Sequence, residues 1–427
     1  MWHGENEMKR VLFVLFTFCV AYASFGSGFA ILEQSTRGMG RALGGITADK
    51  EDLGALYFNP SATAWLESDE LTLGAHFLRV HAVYKDLGSS PSLGTDEGND
   101  MGGWSVIPNF YWGHPIEEGL VFGLGFSATS GTKTSHPRGW IGRYDGILTD
   151  IAVVDVNPAI SYRLGDDLSI GAGLVFEYAF MKMDSAMDLS ALGRRDGKTK
   201  IEGDSTSVGF NLGVTYEPLE GTTVGLGYRS RMRHKMDVNV RSHGTRGLEV
   251  LGTRSDGTSV LHFPSAATIG IMQKLTERWR AGLDIAYCFQ SYMKDIRVKF
   301  DDKYMGRPKD SEMKIRMGWK NSWRISLGTE YDLTERLTLR GGFTWDQSPV
   351  TNRYRNVQLP DADRYWLSVG LGCRITEKWT LDLAWTHIFF PNVSLNQAGG
   401  GNDKTAMLRG KASGNSNTVS VALSCRF

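Results

Sequence analysis

Apolar and polar residues alternate singly over long parts of this chain. In the last segment one face carries Val419, Val421, Leu423, Cys425 and Phe427, and the other carries Thr418, Ser420, Ala422, Ser424 and Arg426. Segments 279–289 and 379–389 repeat the pattern. A period of two is that of a β-strand with one apolar and one polar face. The pattern therefore predicts an all-β chain.

Turns of one form separate the alternating segments. Residues 275–279, 333–337 and 375–379 each place Thr-Glu and a basic residue between apolar neighbours. Looser versions occur at 165–168 and 217–221. Each turn ends one alternating segment and begins the next, which predicts stacked β-hairpins with their short turns on one side.

The alternating segments number fourteen, an even count that leaves both ends of a closed antiparallel barrel on the same side of a membrane. The predicted strands are 70–85, 103–113, 120–130, 147–164, 168–189, 200–217, 222–242, 259–275, 279–300, 318–333, 337–348, 361–375, 379–396 and 412–427. The short turns then lie on the periplasmic side and the long loops outside.

The polar faces of the predicted strands carry many charged residues. Their presence indicates whether the polar or the apolar face points into the barrel. They include Glu177, Arg280, Asp284, Arg324, Glu330, Arg374, Asp382 and Arg426. Aromatic residues stand at strand ends, at Trp279, Trp323, Trp345, Tyr365 and Trp379. A soluble β-sandwich would also alternate, with its apolar face as the core. Charged faces with aromatic ends instead favour a transmembrane barrel with a polar lumen and aromatic girdles.

Composition agrees with a membrane barrel. Aromatic residues make up 11%, and there are 51 Gly. Lys and Arg equal Asp and Glu at 47 each, so no overall charge indicates a nucleic-acid partner. No apolar run beyond the N-terminus reaches the roughly 18 residues of a membrane helix.

The N-terminus has the pattern of an export signal. Lys9 and Arg10 precede an apolar run over residues 11–25, followed by small residues. We expect a signal peptide over residues 1–26, cleaved near Gly26 with Ser24 at the third position back. The alternative is a membrane anchor. Met8, directly before the basic pair, is a better start than Met1.

Residues 28–66 do not alternate. They have helix-type spacing, many Gly and a break at Asn59-Pro60. We predict a small, partly helical plug over residues 27–67 inside a barrel of residues 68–427. Because unpaired buried charges cost several kcal/mol each, we expect the plug's charged residues to pair with lumen charges such as Asp284 or Arg374. These plug residues are Arg37, Arg41, Asp49, Glu51 and Asp52.

Two prolines flank a predicted strand that loses its pattern. Pro108 lies in the second strand and Pro158 in the fourth, and each lacks a ladder donor. Between them the third strand gives way to Ser127, Ala128, Thr129, Ser130 and Gly131. This combination predicts bulges and a lateral gap. Ordinary bulges at a barrel rim are the alternative.

Five short motifs can be compared with known families: Gly28-Phe29, Gly38-Met39-Gly40-Arg41-Ala42, Asn59-Pro60-Ser61-Ala62, Gly139-Trp140-Ile141-Gly142-Arg143-Tyr144 and residues 360–368. In these motifs the chain resembles the FadL family of outer-membrane transporters of long-chain fatty acids and other hydrophobic compounds, which includes aromatic-hydrocarbon channels. The family's usual Asn-Pro-Ala is Asn-Pro-Ser-Ala here.

The resemblance implies passive uptake without an energy source. Extracellular loops capture the substrate, an interior site beside the plug (the family's hatch) receives it, and a kink in the third strand releases it sideways. The residues implied in the hatch and its gating are Gly28, Phe29, Ala30, Ile31, Asn59, Pro60, Ser61 and Ala62.

A fatty acid often needs one cation for its carboxylate. The candidates follow the third strand: Lys133, Arg138 and Arg143, with Trp140 and Ile141 for apolar contact. Alternatively, this is a solvated loop whose basic residues face lipopolysaccharide. An uncharged hydrocarbon would need no cation, and the residues do not separate these substrates.

Other classes fit less well. No Ser or Asp groups with a His as a barrel enzyme would require, although His76 and His81 share the first strand. An open porin would lack the plug, and an adhesin would have longer loops. Cys288, Cys373 and Cys425 lie on separate strands, so we expect no metal site, and no cofactor. The expected partners are a hydrophobic substrate, outer-membrane lipid including lipopolysaccharide, and the barrel-assembly machinery, through the terminal Phe427. We expect a monomer.

Overall fold

The computed structural model describes residues 28–427. The predicted signal peptide, its cleavage site and the choice between Met1 and Met8 lie outside the described residues. The strands are β1 (Glu70–Asp86), β2 (Gly103–Glu117), β3 (Leu120–Ser135), β4 (Leu148–Leu164), β5 (Leu168–Met187), β6 (Gly197–Leu219), β7 (Thr222–Arg229), β8 (Met232–His243), β9 (Arg254–Phe263), β10 (Ser265–Thr276), β11 (Trp279–Phe289), β12 (Asp295–Phe300), β13 (Glu312–Arg316), β14 (Ser322–Asp332), β15 (Leu337–Asp346), β16 (Arg364–Arg374), β17 (Trp379–Ala398) and β18 (Met407–Arg426).

These strands form one closed antiparallel sheet. β1 pairs with β18, with Glu70 opposite Arg426, which closes the barrel. Four spans are each interrupted once: β7 with β8, β9 with β10, β11 with β12, and β13 with β14. Counting each interrupted span once gives fourteen, as the sequence predicts. The interruptions were not predicted, and one of them falls at Pro264, which has no amide hydrogen for the ladder.

The polar face of the sheet points inward. Thr418 and Ser420 are fully buried, whereas Val419 between them is 53% exposed. Leu383 and Trp385 on β17 are exposed in the same way. The apolar outer surface suits lipid contact, and the inward hydroxyl groups face the lumen.

The N-terminal segment folds inside the barrel. It contains α1 (Thr36–Gly40), α2 (Ala55–Phe58) and 3-10 helices at Ile46–Ala48 and Pro60–Trp65. Among residues 28–427, no helix is long and apolar enough to cross a membrane. The fit is tight, because a Cβ atom on Gly44 would lie 2.1 Å from the backbone nitrogen of Gly328 on β14. Only glycine allows the two backbones to approach this closely.

A buried charge network joins the plug to the wall. Arg41 donates to Glu330 at 2.7 Å and pairs with Asp49 within the plug. Arg37 reaches Glu51 at 2.7 Å and the same Glu330 at 3.1 Å. Arg340 on β15, at 2.8 Å, and Arg280 on β11, at 3.2 Å, complete the shell around Glu330. Each buried charge of this network therefore has a partner of opposite sign, which offsets its desolvation cost.

The partners expected for the plug charges were wrong. Asp284 accepts hydrogen bonds from the hydroxyl and backbone amide of Thr47. Arg374 makes no ion pair among residues 28–427, and Glu330 is the wall carboxylate that pairs with the plug arginines, as was expected of Asp284. Plug position and strand register decide this choice, and neither can be read from residue types.

Candidate functional site

β3 separates from β2 halfway along its length. Their pairing ends where Asn109 stands opposite Ser127. Pairing between β3 and β4 continues, but its register shifts between Ala128 and Ser130, leaving Thr129 as the extra residue of a bulge. The predicted kink at residues 127–131 therefore coincides with an observed bulge and with the end of pairing to β2.

The first described residues of the plug occupy the edge of β3 that β2 leaves free. Ala30 forms an antiparallel bridge with Ser130. The Ile31 amide donates to the Thr129 carbonyl at 3.0 Å, and the Gly131 amide donates to the Phe29 carbonyl at 2.8 Å. The plug thus satisfies wall groups that would otherwise be unpaired in a membrane.

This unpaired stretch is closed at its upper end. There the Ser135 amide donates to the Met101 carbonyl at 3.2 Å. Between that bond and the Asn109–Ser127 pair, residues 103–108 and 128–134 form no ladder with each other. Pro108 occupies the last β2 position before pairing to β3 begins, and it lacks an amide hydrogen.

Pro158 on β4 produces no bulge, contrary to expectation. Val156 stands opposite Phe176 and Ala159 opposite Gly173, so the register with β5 is the same on both sides of the proline. The side-chain amide of Asn157 donates to the Leu174 carbonyl at 2.8 Å. The residue before the proline thus replaces the missing backbone donor, and the local distortion is confined to β3.

A small cavity of about 70 Å³ lies between plug and wall next to the β3 bulge. It is lined by Ala30, Leu32, Tyr57 and Phe58 of the plug, by Thr129 and Ser130 of β3, and by Glu177, Arg229, Ser230, Met232, Phe263, Pro264, Ala266, Thr268, Ala286, Cys288 and Arg324 of the wall. Most of these side chains are apolar, which is typical of a site for a hydrophobic molecule.

Arg229 is already engaged by neighbouring groups. It pairs with Asp155, lies 3.8 Å from Glu177, and stacks on Tyr57 with its guanidinium 4.5 Å from the ring centre. Glu177 also contacts His234 at 3.1 Å. The charged groups of this cluster pair with one another, so they give the cavity a polar lining but no unpaired charge.

Arg324 is a buried cation of a different kind. Its side chain is 4% exposed, and its Nε atom has no hydrogen-bond partner in the described structure. The guanidinium lies 6.0 Å from the centre of the Phe58 ring. Within residues 28–427 it forms no direct ion pair, and the carboxylates that act on it electrostatically are those of Asp346, which stands opposite it on β15, and Asp284. Its unpartnered Nε atom is the donor available to an anionic group. Sequence reasoning identified Arg324 only as a lumen residue, because its proximity to the plug depends on register.

The structure does not bring the five predicted loop residues together as a capture site. Trp140 is fully buried and stacks on His136 at 3.6 Å, and Ile141 is 2% exposed. Lys133 pairs with Asp150 at 3.3 Å, and Arg143 pairs with Asp196 at 2.7 Å. The apolar residues stabilise a core beneath the loops. Arg138 is exposed.

The predicted hatch residues fall into two groups. Phe29 is buried, and its ring centre lies 4.9 Å from that of Trp319. A Cβ atom on the adjacent Gly28 would come within 2.7 Å of the same indole. Together with Ala30 and Ile31, these residues form the group that lies at the β3 edge.

The second group holds the opposite end of the plug. The Asn59 side chain donates to the Thr47 carbonyl at 2.7 Å and to the Thr215 hydroxyl at 2.9 Å. Ser61 also contacts that hydroxyl, at 2.8 Å. Pro60 begins a 3-10 helix, and Ala62 lies in an apolar cluster. This end is therefore attached to β6 by side-chain hydrogen bonds.

Comparison with known proteins gives the same architecture. The "Long-chain fatty acid transport protein" of Salmonella typhi is 25% identical over 419 residues, covering 91% of this chain and 94% of that protein. The "47 kDa outer membrane protein" of Pasteurella multocida is 27% identical over 394 residues, covering 86% of this chain and 89% of that protein.

Two solved structures share the fold. A FadL homologue from Pseudomonas aeruginosa superposes with a TM-score of 0.84 at 23% identity, covering 94% of this chain and all of that one. The P. putida toluene transporter TodX gives 0.66 at 17% identity, with 94% and 99% coverage. Residues 17–427 match the family described as "Outer membrane protein transport protein (OMPP1/FadL/TodX)". The chain therefore belongs to this family of outer-membrane transport proteins, which are channels and not enzymes.

Proposed function

We propose that this protein takes up long-chain fatty acids or similar hydrophobic compounds passively across the outer membrane. The observation that carries this proposal is that the apolar cavity borders the unpaired stretch of β3, since Thr129 and Ser130 line it. Only the barrel wall separates a molecule in that cavity from the surrounding lipid. Release between β2 and β3 would deliver it sideways into the bilayer.

Arg324 gives the cavity a preference for a carboxylate. A hydrogen bond between an ionised donor and an ionised acceptor is stronger than a neutral one. Leu32, Met232 and Phe263 on other sides of the cavity offer contact to an alkyl chain. This arrangement favours a fatty acid over an uncharged aromatic hydrocarbon, for which a buried unpaired cation would be a liability.

Lateral release requires the plug to move at one end only. Residues 29–31 must leave the β3 edge, while Asn59 and Ser61 keep the other end attached. We assign the plug to residues 27–67 and the barrel to residues 68–427. The chain works as a monomer whose final strand and terminal Phe427 are recognised by the barrel-assembly machinery.

A flux comparison in proteoliposomes tests the proposal. Oleate and toluene are each followed into vesicles that carry the purified barrel, and swelling is recorded with small sugars. We expect oleate transfer well above that of protein-free vesicles, with no sugar swelling. Rapid sugar flux would instead identify a general porin. Toluene transfer without oleate transfer would identify a hydrocarbon channel.

A further inference from the structure

Basic side chains of three spans, β7 with β8, β11 with β12 and β13 with β14, project from the outer surface on the side of the long loops. Five of them form the basic patch: Arg231, Arg233, Lys235, Lys294 and Arg316. All five are exposed, whereas Met232, His234 and Met236, which alternate with the first three, are buried and face inward. The patch therefore lies outside the barrel and is separate from the cavity and the plug.

Strand pairing makes the patch continuous. Arg233 stands opposite His262 in the β8–β9 pair, and Arg316 stands opposite Asp295 in the β12–β13 pair. β9 and β12 are joined where Ser259 meets Val298. The Arg231 guanidinium lies 4.4 Å from the centre of the Tyr292 ring.

The positive charge of the patch is not neutralised. Asp295 is engaged by Arg297 and Lys314, each at 3.1 Å, and Glu312 lies 3.8 Å from the same Arg297. Asp237, two residues along β8 from Lys235, forms no ion pair with a patch residue in the described part of the chain. None of the five patch residues forms an ion pair within residues 28–427.

Apolar side chains lie directly beneath the patch. Tyr228 is the last exposed residue of β7, and Arg231 follows it after the break between β7 and β8. Ile269 and Ile325 continue the apolar surface on neighbouring spans, at 42% and 38% exposure. A groove of about 350 Å³, lined partly by His262, Tyr292 and Lys294, opens on this face.

We propose that the basic patch binds the phosphorylated sugar headgroup of lipopolysaccharide in the outer leaflet. Such a lipid has phosphate groups at the level of the basic residues and acyl chains at the level of the apolar surface. Free phosphate would use the cations but not the apolar surface below, so the arrangement favours the lipid. The inference rests on outer-membrane location and not on the transported substrate.

Native mass spectrometry of the purified barrel, titrated with bis-phosphorylated lipid A, tests this site. The variant R231Q/R233Q/K235Q removes three patch charges, and K303Q/R307Q/K309Q removes three exposed charges from the loop after β12. Each basic residue near an anionic lipid surface is worth about fivefold in binding. We expect the patch variant to bind on the order of a hundredfold more weakly, and the loop variant to bind like the unmodified protein.

Three outcomes would overturn the proposal. The first is equal lipid A binding by the patch variant, in a protein shown to be folded by its heat-dependent gel migration. The second is equal binding of dephosphorylated lipid A, which would make the apolar surface sufficient. The third is displacement of the lipid by millimolar inorganic phosphate, which would identify a free anion as the ligand.

Discussion

The backbone amide of Gly131 donates to the carbonyl oxygen of Phe29 at 2.8 Å, so the plug itself completes the edge of β3. The adjacent Ala30 and Ser130 form the pair between this bond and the Ile31–Thr129 bond. In an antiparallel ladder such a non-hydrogen-bonded pair has its Cα atoms about 4.5 Å apart. That spacing is within the range a disulfide can span.

A disulfide at this pair should stop transport. In A30C/S130C we expect oxidation to reduce oleate transfer to the background rate while oleate binding persists, because the plug can no longer leave β3. Dithiothreitol should restore transfer. The single variants A30C and S130C are the controls for the three native cysteines. Undiminished transfer through the oxidised protein would mean that release needs no movement of residues 29–31.

Removing the Arg324 cation should separate charged from uncharged substrates. In Arg324→Gln we expect oleate binding to weaken about tenfold or more, because a hydrogen bond to a charged group contributes about 1.5–3 kcal/mol. Toluene binding should not weaken. Isothermal titration in detergent measures both. The control is Arg374→Gln, a lumen arginine that does not line the cavity and forms no ion pair within residues 28–427. Equal losses for oleate and toluene would indicate damage to the cavity and not loss of a carboxylate partner.

The barrel was predictable from sequence because its signal is local. Alternation within each span reports which face meets lipid, and this holds even where Pro264 interrupts a strand. The kink in β3 was also predictable, since residues 127–131 break the alternation that Phe126 and earlier residues maintain. Two prolines were expected to cause this kink, but only Pro108 lies where the pairing between β2 and β3 ends. Pro158 does not distort β4, because the side chain of Asn157 replaces the missing backbone donor.

The residues proposed to bind substrate were not predictable in the same way. Arg324 would acquire its proposed role from the register of β14 and from the position of Phe58, which lies far away in the chain. Trp140 looked like a ligand contact because it is an aromatic residue in a loop beside basic residues. Its indole instead donates to the Gly146 carbonyl at 2.8 Å and packs inside the loop. An apolar loop residue can serve a ligand or a core, and local sequence does not distinguish these roles.

The close approach of plug and wall predicts a leak. In Gly44→Ala the new methyl group would overlap the backbone of Gly328, which cannot move without breaking the ladder. We therefore expect the plug to be displaced and small sugars to swell proteoliposomes. The matched control is Gly341→Ala on β15, where a Cβ atom would meet nothing nearer than 3.9 Å. A sealed Gly44→Ala protein would show that the plug can shift without opening a path.

Asp145, in the loop between β3 and β4, should make the loop region sensitive to pH. Burial raises the pKa of Asp145 to about 6, above the roughly 3.9 of an unfolded chain. The folded loop therefore holds the proton more tightly than the unfolded loop does. Its stability is greatest below pH 4 and falls as the pH rises through about 6, where the buried carboxylate becomes charged. The Gly400 amide, 3.2 Å away, links this carboxylate to the loop between β17 and β18.

Limited proteolysis at pH 5 and pH 7.5 measures this effect. We expect the loops at 136–147 and 399–406 to be cut faster at the higher pH, relative to Asp145→Asn under the same conditions. The Asn variant keeps an oxygen acceptor for Gly400 but cannot ionise, and the comparison at each pH removes the pH dependence of the protease. The opposite trend, with faster cutting at pH 5, would mean that the charged carboxylate stabilises the loops and that its hydrogen bond outweighs its burial.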